Sequence, residues 1–94
     1  MARRGHFILD PDAVLDFTFD WSEWLADGET ISSVSFSVPS GLTEESSTHD
    51  DTTATVWLST SSSQAGNTFV VTCHIATSAG RQDDRSILIT VQER

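Results

Sequence analysis

The side chains of this chain with the chemistry to react or to bind an ion are three histidines, one cysteine and 14 acidic residues. His6, His49 and His74 are metal-ligand types, but they fall in the N-terminal segment, a polar stretch and an alternating apolar run, with no ligand spacing among them. His49, Asp50 and Asp51 form a triplet whose oxygens would suit calcium, yet a lone polar triplet in a loop is solvated by default. Cys73 precedes His74, the residue types of a nucleophile and its base. Neighbours on a strand point to opposite faces, however, so this imidazole does not reach that thiol, and Cys73 reads as a small core residue. Asp16 and Asp20 share one strand face but lie about 13 Å apart along an extended chain, too far for a glycosidase pair. No nucleophile elbow, phosphate loop or cysteine pair occurs. The residues therefore predict no catalytic group, no cofactor-binding residue and no metal ligand, and the chain is not expected to be an enzyme.

What remains are side chains suited to surface contact. Trp21 alternates with Phe17 and Phe19 and reads as core, whereas Trp24 and Trp57 are either core or an aromatic platform for a sugar or a protein. Arg81 and Arg85 flank Asp83 and Asp84, which is either local charge pairing in a solvated hairpin or an interface contact. Phe7, Ile8 and Leu9 are apolar and yet precede the domain proper. The interface candidates are thus Phe7, Ile8, Leu9, Trp24, Trp57, Arg81 and Arg85.

The elements that must carry these residues are strands. Helix periodicity is nearly absent, and period-two alternation recurs between clusters of Gly, Asp and Ser. Leu15, Phe17, Phe19 and Trp21 form one face of the cleanest run, with Asp16, Thr18 and Asp20 on the other. Trp21, Trp24 and Leu25 then fall at helical spacing, and Asp20 with Glu23 has capping-box spacing, so one short helical turn is predicted near Trp21 and Leu25. Val34, Phe36 and Val38 mark a second strand, with Ile31 starting it. Residues 42–53 are too polar to order themselves alone and are expected to be a loop or, at best, an edge strand. Ala54, Val56 and Leu58 mark the next strand, with Trp57 opposite. Phe69, Val71, Cys73 and Ile75 mark another, and Ile87, Ile89 and Val91 the last, with a polar hairpin connection over residues 78–85. Turn signals at roughly ten to fifteen residues suit an all-β, immunoglobulin-like sandwich of about six to seven strands better than a closed barrel.

The totals bound the rest. Ninety-four residues make one domain, here read as an N-terminal arm over 1–10 and a single sandwich over 11–94. So short a chain buries about 60 to 65% of its unfolded surface, and assembly with neighbours would add to that. The net charge of −9, with no lysine among five basic residues, argues against nucleic acid as a partner. No apolar stretch approaches the roughly 18 to 20 residues of a membrane span, and the run at Phe7 is far below the ~7 to 15 residues of a signal-peptide core. One cysteine excludes an intrachain disulfide, as suits synthesis in a reducing cytoplasm.

The segments DPDAVLDFTFDWSEWL, GETISSVSFSV, TATVWLS and AGNTFVVTCHIATSAGRQDDRSILITV resemble a family of short tailed-bacteriophage virion proteins, the phage fibre-tail adaptors or minor structural proteins. The likeness runs from Asp10 onward and is most specific at DWSEWL and over residues 65–86. It implies an immunoglobulin-like virion component, made in the host cytoplasm, present in several copies and joining fibres or other tail and neck proteins to the tail. It implies no cofactor, no nucleic acid and no membrane. Residues 65–73 are also similar to the penultimate strand of immunoglobulin-type domains, with Phe69 where a tyrosine often stands and Cys73 at the cysteine position, here without a partner. Capsid decoration and carbohydrate binding through Trp24 or Trp57 are the alternative functions.

Overall fold

A computed structural model describes residues 5–93, which form two stacked sheets. The first holds β1 (Gly5–Leu9), β7 (Gln82–Val91), β6 (Thr68–Thr77) and β3 (Ile31–Ser37), in that order; the second holds β2 (Leu15–Asp20), β5 (Thr53–Thr60) and β4 (Leu42–His49). Neighbours are antiparallel except β1, which runs parallel to β7. The order β7-β6-β3 over β2-β5-β4 is that of strands G-F-C over B-E-D in immunoglobulin-type sandwiches.

Alternation builds the core. Phe17 and Phe19 of β2, Ala54, Val56 and Leu58 of β5, Val71, Cys73 and Ile75 of β6, and Ile87, Ile89 and Val91 of β7 are all buried. Each of those strands places every second side chain between the sheets, so one apolar set fills a single layer. Trp21, just beyond β2, is the largest fully buried side chain.

The structure decides or revises four sequence expectations. Residues 42–49 form the edge strand β4, although all but Leu42 are exposed. Pairing with β5 satisfies the backbone on one side whatever the side chains are, and Asp50 closes the hairpin by accepting from the N–H groups of Thr52 (2.9 Å) and Thr53 (2.7 Å). The turn near Trp21 is a single one, in which the N–H groups of Trp24 and Leu25 both donate to the Trp21 carbonyl. The short helix is a 3-10 turn elsewhere, at Ser62–Gln64.

The polar run after Gly80 is largely strand rather than connection, because β7 begins at Gln82. Asp83 and Arg85 pair in register with the buried Ile75 and Cys73, so they face inward and finish the end of the sandwich around Trp21. The N-terminal arm, finally, is over its described part the edge strand β1. Leu9 aligns with Val91 and is 0% exposed, which makes it a core residue instead of a free contact; residues 1–4 of that arm lie outside the described residues.

Candidate protein interface

The two arginines are candidates for outside contacts, and the fold uses both to cross-tie its loops, Arg81 while still exposed. Arg81, in the β6–β7 turn, donates from Nε to Glu29 Oε2 (2.9 Å) and from Nη2 to Oε1 (2.5 Å), and its guanidinium lies 4.0 Å from the centre of the Trp24 ring. Trp24 is thereby half covered and is no free platform. Glu29 also accepts from the Ala26 N–H (2.9 Å) and the Thr77 hydroxyl (2.6 Å). The guanidinium first, then these two donors, hold its carboxyl down at about 2. Sequence reading missed Glu29, and no local signal marks it: its partners Thr77 and Arg81 stand 48 and 52 residues away.

Arg85 donates from Nη1 to the Asp20 carbonyl (2.6 Å) and stacks over Trp21, 4.8 Å from its ring centre. The Trp21 indole N–H points to Asp83 (3.4 Å). With Asp20, Ser22 and Glu23, Arg85 lines a shallow polar cleft. The Ser22 N–H at 2.8 Å is the main reason the Asp20 carboxyl lies below its usual range. The charge pairing expected between these arginines and Asp83 and Asp84 is replaced by Arg81 with Glu29 and by His74 with Asp84.

The residues considered for reaction are occupied structurally. Burial pushes the Cys73 thiol up to about 12, so thiolate is scarce at neutral pH. His74 faces the other way, bonded to Asp84 and to Gln82 (3.0 Å), and the Asp84 carboxylate raises its pKa. Asp50 is engaged by its own turn, whose N–H groups lower its pKa. No group of three potential metal ligands occurs among the described residues.

Three candidates remain on the surface. Phe7 is 43% exposed at the rim of the sandwich, its ring edge-on to Phe17 with centroids 5.5 Å apart. Ile8 points outward from β1, in register with Thr90. Trp57, at the middle of the second sheet, is 39% exposed and stands across from Asp16 on β2 and Ser46 on β4. Around it Thr18 bonds Thr55 (2.9 Å) and Ser59 donates to Glu45 (2.5 Å), so the ring rises from a polar, acidic face.

Comparison with known proteins adds the biological setting. Residues 9–90 match the family model described as podophage GP4 fiber-tail adaptor protein gp77. The chain belongs to that family. The resemblance carried by DWSEWL and residues 65–86 is thus shown, and with it membership among the structural adaptors of the phage tail. No curated protein matches the chain. Among solved structures it is similar to the endo-fucoidan hydrolase MfFcnA4 of glycoside hydrolase family 107 (TM-score 0.67) and to a variant of that enzyme (0.68), in both cases at 15% identity. Those alignments cover 97% of this chain but 13% of the enzyme chains, so they speak for the fold alone.

Proposed function

We propose that this protein is a virion component that joins tail fibres to the tail by protein–protein contact, in several copies and without catalysis. The observation that carries this reading is the family match over residues 9–90, nearly the whole sandwich. The described side chains are consistent with it. Cys73 is buried, His74 and Asp50 hold neighbouring strands together, and the exposed apolar groups Phe7, Ile8 and Trp57 are of contact type. The partners are other tail, fibre or neck proteins, the protein is made in the host cytoplasm before assembly, and neither nucleic acid nor membrane takes part. A surface dominated by carboxylates suits such protein contacts and repels phosphate backbones.

Immunogold electron microscopy of intact virions, with antibodies against the recombinant domain, tests the assignment. Gold is expected at the tail or its fibres. Gold spread over the head would replace the adaptor with a capsid decoration protein, and particles free of gold would remove the protein from the virion.

A further inference from the structure

Trp57 is not part of the core between the sheets. Its position on β5 points away from the core, and the neighbouring outward residues of the same strand, Thr55 and Ser59, are small and hydroxylated. An indole left 39% exposed at the centre of a sheet is an unfavourable choice for a solvated face and a favourable one for a contact. Its surroundings say of what kind. Asp16 stands directly opposite it, and Glu45, held by Ser59, lies on the β4 side. Among the described residues both arginines are already bound elsewhere, Arg81 to Glu29 and Arg85 to the Asp20 carbonyl, and the net charge is −9.

We propose that the outer face of the β2-β5-β4 sheet docks a basic protein surface, a partner arginine or lysine lying on the Trp57 ring between the carboxylates of Asp16 and Glu45. This rests on the adaptor reading and names the chemistry of the partner. A cation over an indole face gains from the ring quadrupole, and carboxylates beside the ring add charge pairing that also orients the side chain. Arginine suits the place best because its planar guanidinium stacks and forks at once. A neutral glycan could stack on the ring, but it would leave both carboxylates without a cation, and an acidic glycan would be repelled.

The test uses virions assembled without this protein and the full recombinant chain, with bound protein measured by co-sedimentation at about 50 and about 300 mM NaCl. The wild-type chain is expected to bind the particles and to weaken as salt rises. Trp57→Ala and the double variant Asp16→Asn with Glu45→Gln should each bind about tenfold more weakly or worse, and the double variant should lose most of the salt dependence. Thermal unfolding of each variant must match the wild type, and Trp57→Phe, which keeps a weaker ring, should bind between wild type and Trp57→Ala. Normal wild-type binding with unaltered variants overturns the docking face and leaves the adaptor reading intact. Wild-type protein that fails to bind the particles overturns both. Competition by host polysaccharide without salt dependence would make the occupant a sugar and overturn the basic partner.

Discussion

Glu29 is 7% exposed and keeps its charge because four donors from three residues converge on it: the Arg81 guanidinium twice, the Ala26 N–H and the Thr77 hydroxyl. A carboxylate so surrounded is held in its ionised form, and protonation breaks the arrangement from within. Its folded-state pKa of about 2 lies below the ordinary 4.5, so the stability it contributes is fully present above pH 4.5 and is lost as the pH falls through about 2. Glu29→Gln is therefore expected to lower the unfolding temperature at pH 7 and to flatten its fall on acidification across that window. Circular-dichroism melts of both proteins at a series of pH values measure this. Parallel curves for wild type and variant would show that Glu29 does not govern acid unfolding.

Strand β1 shows how one element serves two environments. Leu9 is enclosed between the sheets while Ile8, the residue before it, faces outward, as strand geometry requires. Leu9→Ala is expected to cost about 2–5 kcal/mol, whereas Ile8→Ala should stay near ~0.5 kcal/mol, both read from urea unfolding midpoints. Removal of residues 1–10 should lower the midpoint at least as far as Leu9→Ala. A truncated chain of unchanged stability would return these residues to the status of a dispensable arm. At the opposite border β4 carries a register shift between Glu44 and Ser46 and the adjacent carboxylates Glu44 and Glu45 at that shift, which discourage pairing with another edge. Gly41 enters that strand with φ 108°, and a Cβ there would lie 2.8 Å from the Phe69 ring, so the strand starts where only glycine fits.

At the scale of the whole molecule the dominant quantity is charge. With 14 acidic and five basic residues, and both described arginines tied to Glu29 and to the Asp20 carbonyl, the carboxylates repel one another across a small surface. Raising NaCl from about 10 to about 150 mM should raise the unfolding temperature, because screening relieves surface repulsion more than it weakens the sheltered Glu29–Arg81 pair. Differential scanning calorimetry decides it. A falling temperature would mean that attractive pairs outweigh repulsion in this protein. The same charge should steer a basic partner and make its association faster at low salt.

Period and composition determined the strands and the core, because every second residue of β2, β5, β6 and the end of β7 must be apolar if two sheets are to close on each other. The identity of Phe17, Phe19, Trp21, Val71 and Ile89 as core followed from the chain alone, as did Trp57 on the opposite face. What the sequence left open depended on partners far along the chain. Whether residues 42–49 paired, whether Leu9 was surface or core, and where the Arg81 and Arg85 side chains went were decided when β5, Val91, Glu29 and Asp20 came into reach. A local pattern records which way a side chain points on its own strand. It does not record which charge or edge from another part of the chain will be waiting there, and that is why only the tertiary structure could place Leu9 in the core and make Arg81 and Arg85 internal ties.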